Sequence, residues 1–280
     1  MGKFIYTQIL VIYSNILFAQ NMHIMIGAGL MNYQGDLQSK KLTFNQSHPC
    51  VGIGAYYEVS DKLFVRANII YGKVSAADSY SKVNYGRNLS FSSPITEFHL
   101  GLEYDIINSY QHSITPYVFA AVAVFNFNPS TIDATGKKVY LQPLGTEGQG
   151  FYNNRKKYSL TQLAIPFGGG LKYAVNDNVY IRMEAGFRKL FTDYLDDVST
   201  FYIDSTNLLI NNGPQAVALA FRGGERNPAY PYPAEGTIRG NPKSKDFYYT
   251  GMFSISFRLQ SKTNTGRKGK SNVGCPVNVY

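Results

Sequence analysis

The chain has no tryptophan, two cysteines and four histidines, and only 16% of its 280 residues are charged. That charge density is low for a soluble protein of this length. After the first twenty residues no apolar run approaches the roughly 20 residues that a membrane-spanning helix needs, which excludes a helical inner-membrane protein. The net charge of +9 does not indicate nucleic-acid binding. Part of it is local, because residues 261–280 hold Lys262, Arg267, Lys268 and Lys270 with no acid and read as a basic disordered tail. What the chain does have is 23 tyrosines and 18 phenylalanines, an aromatic supply suited to interfacial girdles.

Eight segments alternate apolar and polar residues. The clearest is Val179 to Arg188, where Val179, Ile181, Met183, Ala185 and Phe187 share one face and Arg182, Glu184 and Arg188 the other. Successive strand side chains point to opposite sides, so such a segment has one apolar and one charged face. The others run from Met22 to Met31, Val51 to Val59, Lys62 to Gly72, Pro94 to Ile106, Thr115 to Phe125, Gln162 to Tyr173 and Tyr248 to Leu259. Each is about the 9–11 residues that a tilted strand needs to cross a bilayer. Only Thr115 to Phe125 is apolar on both faces, as small residues plus valine can be in a filled interior.

The connections alternate between compact polar turns and long loops. Ser60-Asp61, residues 107–113 and Asn176 to Asn178 are turns, whereas residues 32–49, 74–93, 127–160 and 192–246 are loops far longer than a compact soluble domain uses. This pattern predicts an all-β protein: an eight-stranded antiparallel transmembrane β-barrel with long outer loops and short periplasmic turns. Residues 1–19, with Lys3, an apolar stretch and Leu17-Phe18-Ala19, read as a signal peptide, and the barrel domain as residues 20–260. Export without a spanning helix implies the Gram-negative outer membrane. Cys50 near the outer rim and Cys275 in the periplasmic tail would stand on opposite sides of the barrel, which disfavours a disulfide.

Eight strands enclose an interior just wide enough for side chains to fill. The inward positions Glu58, Arg66, Glu97, His99, Glu103, Asp105, Lys172, Arg182, Glu184, Arg188 and Arg258 carry both signs. They predict an ion-pair ladder through the lumen, centred on Glu97, Glu103, Arg182, Glu184 and Arg188, and disfavour a pore. Catalysis is not expected: His23 and His112 fall near the periplasmic rim, His99 inside a strand, and His48 at a loop end with no nucleophile signature nearby. Asp193, Asp196 and Asp197 lack the alternating ligands and glycine of a calcium loop, and read as capping and solvating the outer end of a strand.

Several motifs lie in the long loops: Gly86 to Phe91, Leu141 to Gly150 and, above all, Arg188-Lys-Leu-Phe-Thr-Asp-Tyr-Leu-Asp-Asp-Val-Ser199, with Ile165 to Gly168 in a strand. On these residues the chain, from about 21 to 259, resembles the PorG family, outer-membrane barrels of the Bacteroidetes type IX secretion system. The resemblance marks Thr192, Asp193, Tyr194, Leu195, Asp196 and Asp197 as a family loop motif. It implies a non-enzymatic secretion component that contacts a periplasmic ring of the PorK lipoprotein and PorN. No cofactor and no small-molecule substrate is implied; outer-membrane lipids are the other expected partner. From the residues alone, the loop motifs either pack into an outer cap or form loop structure with no partner. A small OmpX- or OmpA-like surface barrel for adhesion or envelope integrity is the competing reading.

Overall fold

A computed structural model describes residues 21–259 apart from 39–42, 44 and 82. The expected signal peptide and basic tail, with Cys275, lie outside the described residues. Ten strands form: β1 (Met22–Gln34), β2 (His48–Ser60), β3 (Leu63–Ala77), β4 (Ser90–Asp105), β5 (Ile114–Phe127), β6 (Ser130–Ile132), β7 (Lys138–Tyr140), β8 (Thr161–Ala174), β9 (Val179–Leu190) and β10 (Phe247–Leu259). Eight of them close on themselves, every neighbour antiparallel, in the order β3-β2-β1-β10-β9-β8-β5-β4 with β4 returning to β3. The short β6–β7 hairpin joins the rim of β4 through a single pair, Ser92 with Ser130. Closure leaves the barrel no open sheet edge, and backbone pairing runs around the wall, interrupted between β5 and β8 at Pro166.

Side-chain alternation sets the two faces. On β9 every residue from Ile181 to Leu190 switches between exposed and buried. Ile26, Ile53, Leu102, Val122, Leu163 and Phe253 project outward, each more than half exposed. A continuous apolar exterior of this kind is costly in water and is what a barrel presents to lipid. Tyrosine and phenylalanine do the work that tryptophan often shares at the interfaces: Phe167, Phe187 and Tyr249 form an outward row on β8, β9 and β10, with ring centroids 6.0 and 6.3 Å apart. No helix of the described residues is long and apolar enough to cross a membrane.

The strands run further at the long-loop end than alternation alone suggests. β1 reaches Gln34 and β3 reaches Ala77, while β2 begins at His48 and β4 at Ser90. On β1 period-two patterning fails there for a physical reason: Met31, Asn32 and Tyr33 are all buried, because loops cover both faces of the strand end. The segment Thr115 to Phe125 also differs from the small-residue filling its sequence suggests. Its inward face carries Tyr117, Phe119 and Phe125, and the aromatics fill the bore.

The inside–outside phase can be checked on β9. Ala185 faces outward opposite Gly251, so Ala185→Arg places a charge in the lipid-facing band. We expect a loss of roughly 2–4 kcal/mol for a cation near mid-depth, read by urea unfolding in lipid vesicles. Lys189→Ala, at the rim of the same face, is expected to unfold like the parent.

Candidate functional site

Below and at the middle of the barrel, the inward charges form a neutral network. Glu103 meets three cations: Arg66 Nη1 at 3.1 Å, Lys172 Nζ at 2.7 Å, and Arg182 Nη2. Glu184 takes a bidentate grip from Arg66 at 2.9 and 3.0 Å and a hydrogen bond from Tyr117 Oη at 2.9 Å. Lys172 also reaches Asp105, so Arg66, Lys172 and Arg182 are balanced by Glu103, Glu184 and Asp105. One layer higher, Arg188 Nε and Nη2 donate to Glu97 at 2.9 and 3.2 Å, and His99 Nδ1 lies 2.6 Å from the same carboxylate. Aromatic faces supply the rest of the packing. Arg66 lies 4.0 Å from the Phe119 ring centroid, and Arg182 sits between Tyr56 and Tyr117 at 4.3 and 4.6 Å. At the periplasmic end Tyr110, from the β4–β5 turn, donates to Glu58, which also pairs with Arg258 at 3.2 Å.

The charged ladder does not run the whole length of the bore. Above Glu97 and Arg188 the interior turns apolar: Met31, Ile70, Val74, Phe125, Phe127 and Leu190 are buried together with loop residues Leu195, Val198 and Leu219. Cys50, buried with a free thiol, belongs to this layer. The outer loops therefore plug the barrel with their own hydrophobic residues, and the described residues leave no open channel.

Over that plug the four long loops interlock into a cap. Glu147 is its centre. Its carboxylate accepts from Arg239 Nη1 at 2.9 Å, Ser199 N at 2.9 Å and Thr200 Oγ1 at 2.7 Å, and Tyr194 Oη donates to it at 3.2 Å. Arg87 ties in the β3–β4 loop. It holds Asp78 with two 2.8 Å bonds, reaches Asp36 O at 3.2 Å in the β1–β2 loop, and also donates to the Arg239 carbonyl. The glycines of the Leu141 to Gly150 run have a specific task. Gly145 and Gly148 take φ of 54° and 78°, which turns the chain so that Thr146 and Glu147 point inward.

Each residue of the Thr192–Asp197 run has a place in this cap. Thr192 Oγ1 accepts from Tyr194 N at 3.2 Å, and Asp193 accepts from Ser199 Oγ at 2.7 Å. Tyr194 stacks on Tyr158 with centroids 4.8 Å apart, and Leu195 is fully buried in the plug. Asp196 Oδ2 lies 2.5 Å from Tyr33 Oη, whose other neighbour is Asp246 Oδ1 at 3.1 Å. Asp197, at φ 65°, accepts from Thr146 Oγ1 at 2.6 Å and Tyr158 Oη at 2.7 Å. The reading of these aspartates as solvating a strand end is therefore corrected. All three are buried: Asp193 bonds Ser199 of its own loop, Asp196 bonds Tyr33 on β1, and Asp197 bonds Thr146 and Tyr158 of the β7–β8 loop. Sequence spacing could not reveal this, since the partners lie up to 163 positions away. Among the described residues no group of His, Cys, Asp or Glu is arranged to hold a metal.

Two further features were missed in the sequence. The β9–β10 loop contains helices α1 (Ser205–Asn212) and α2 (Pro214–Ala220). Their signals were present: Asp204 caps α1 by accepting from Asn207 N at 2.9 Å, and Gly213-Pro214 marks the break. The other is that His48 has a hydroxyl neighbour after all, with its Nε2 2.6 Å from Ser75 Oγ. Pairing of β2 with β3 creates that contact, and 27 residues of chain hide it in the sequence.

Burial pushes the Asp193 and Asp197 carboxyls up to about 6, with Arg239 opposing the shift at Asp197. Asp246 is also raised well above the ordinary carboxylate range, by burial and then by the neighbouring charges of Asp196 and Asp193. A raised folded pKa means that the folded cap binds more protons than the unfolded chain between about 4 and those values, so its stability falls as pH rises.

A family model described as "Domain of unknown function (DUF6089)" matches residues 2–210. No curated protein matches the sequence. Among solved structures the chain is similar to Neisserial surface protein A, at 11% identity and TM-score 0.43, covering 85% of this chain and 97% of that one. It is also similar to Ail of Yersinia pestis, solved with the heparin analogue sucrose octasulfate, at 10% identity and TM-score 0.40, covering 84% and 96%. The N-terminal β-barrel domain of Pseudomonas aeruginosa OprF matches at 13% identity and TM-score 0.36, covering 85% and 97%.

Two outcomes are expected. Glu103→Leu leaves three buried cations without their shared carboxylate and should destabilise the barrel by about 3–5 kcal/mol, measured by urea unfolding in vesicles. Limited proteolysis of the 192–246 loop should be slower at pH 5 than at pH 7.5, and Asp193→Asn should flatten that difference by holding one carboxyl neutral.

Proposed function

The chain belongs to the DUF6089 family, and we propose that it is a non-enzymatic structural barrel of the outer membrane that serves type IX protein secretion. The observation that carries a structural role is the doubly closed bore, packed with paired charges below and with loop side chains above. A barrel so filled cannot pass a folded cargo, so its contribution to secretion is to hold or position other components. The outer-membrane setting is supported by the apolar exterior of a closed barrel with long loops on one rim only. The link to secretion rests on the resemblance of residues 21–259 to the PorG family. Its most specific run, Arg188 to Ser199, is the one whose side chains join plug and cap.

In this reading the periplasmic face meets the ring of PorK and PorN. The surfaces available are the turns at Ser60-Asp61, residues 107–113 and Asn176 to Asn178, together with the basic residues after 260. The turn at Asn176 is well ordered for such a role, since its side-chain carbonyl accepts from Asn178 N and Val179 N, both at 2.9 Å. The competing reading, a surface barrel that binds an external ligand, draws on apolar residues left exposed on the cap, Val83 at 92%, Ile238 at 80% and Ile210 at 75%.

A clean deletion strain separates the two. On the secretion reading, type IX cargo accumulates in the periplasm while general outer-membrane integrity is kept. Charge reversal in the periplasmic turns, or removal of residues 261–280, then weakens co-purification with ring subunits more than changes in the outer loops do. Unaltered secretion in the deletion strain would transfer the assignment to surface binding.

A further inference from the structure

The outer wall of the barrel is not uniformly convex. Across β3, β2, β1 and β10 it carries a groove of about 760 Å³ walled by Ile26, Val51, Ile53, Ile69, Tyr71 and Phe253. That volume lies within the roughly 300–1,000 Å³ typical of small-ligand sites. Its cause is in the sequence. Ala28 stands between Val51 and Phe253 in register, and its single methyl leaves the floor of the groove low between their larger side chains.

The rim of the groove on the long-loop side is polar. Lys73 projects from the same outward face of β3 as Tyr71, two residues further out, and is exposed. Ser75 follows on that face, with its hydroxyl 2.6 Å from His48 Nε2. The apolar trough thus ends at an ammonium and a hydroxyl two residues apart on β3, with the His48 imidazole of β2 beside the hydroxyl.

We propose that this groove binds a lipid of the outer leaflet, with an acyl chain over Ala28 and Ile26 and a phosphate of its head group at Lys73. Within a bilayer an acyl chain gains nothing from leaving water, so the trough supplies only shape and dispersion contacts. Preference for one lipid must then come from the head group, and a lysine at the interface selects phosphate by a charge-assisted hydrogen bond. A second copy of this chain fits less well. A twofold axis along the membrane normal would set groove against groove and bring two Lys73 side chains to the same height. The inference rests on the outer-membrane orientation given above, and not on the secretion role.

The test is native mass spectrometry of the refolded full chain in detergent, titrated with bisphosphorylated lipid A and with its dephosphorylated form. Folding is checked beforehand by the heat-dependent gel shift of a closed barrel. The parent is expected to retain the phosphorylated lipid. Lys73→Gln should weaken retention about tenfold or more, the loss expected for one charge-assisted hydrogen bond, and Ala28→Phe should weaken it by filling the trough. Equal retention by parent and both variants, or equal binding of the dephosphorylated lipid, would overturn the proposal. So would a lipid-free dimer of the parent that Ala28→Phe dissolves, which would give the groove to a second copy. None of these readings depends on cargo secretion, so failure here and failure of the secretion role can be told apart.

Discussion

A strand placed in hydrocarbon has no water to satisfy its backbone, and every other feature of this protein follows from meeting that need. The β1–β10 and β3–β4 pairings close the wall. Closure at eight strands fixes a bore too narrow for water-filled space, so inward side chains must touch. Charges that touch inside a low-dielectric wall must be paired, and the pairing is many-to-many: Glu103 serves three cations, and Arg66 serves two carboxylates. Aromatic rings on β2 and β5 fill the gaps between them.

The same economy governs the cap. Four loops with little regular structure would ordinarily be mobile, since loop backbone without partners stays solvated. Here a small set of buried polar residues binds them across large sequence distances. Glu147 and Arg239 lie 92 positions apart, and Arg87 reaches the Arg239 carbonyl over 152. Because the acids outnumber the cations around Tyr33, Asp196 and Asp246, protons become part of the structure, which links the cap to pH. Where the lumen balances its charges internally, the cap leaves some to the solvent's acidity.

Much of the wall was legible in the sequence because alternation is a local signal. Val179 to Arg188 declares its two faces with no knowledge of any other strand, and Arg182 and Glu184 lie where that alternation puts them. Legibility ends where burial becomes two-sided. Met31 to Tyr33 are packed on both faces by loops, so β1 extends beyond the alternating stretch. The cap was illegible for a different reason. A run such as Thr192 to Asp197 looks solvent-loving, and only Thr146, Tyr158 and Tyr33, supplied by distant segments, with Ser199 folding back on Asp193, turn it into an interior. The apolar stopper above Arg188 was hidden likewise, since about a third of it comes from loop residues with no periodicity.

The seam between β1 and β10 has a further consequence, in the order of assembly. The first and last strands of the wall are neighbours, so the ring cannot shut until the whole chain has been delivered. Arg239 and Asp246, which fasten the cap, immediately precede β10 and arrive only with it. Lid and wall are therefore completed in one late event, and the contacts that complete them are among the most distant along the chain, the kind that form slowly. Until then both the charged interior and the loop hydrophobics stand open, and whatever escorts the chain to the membrane must shield the two together.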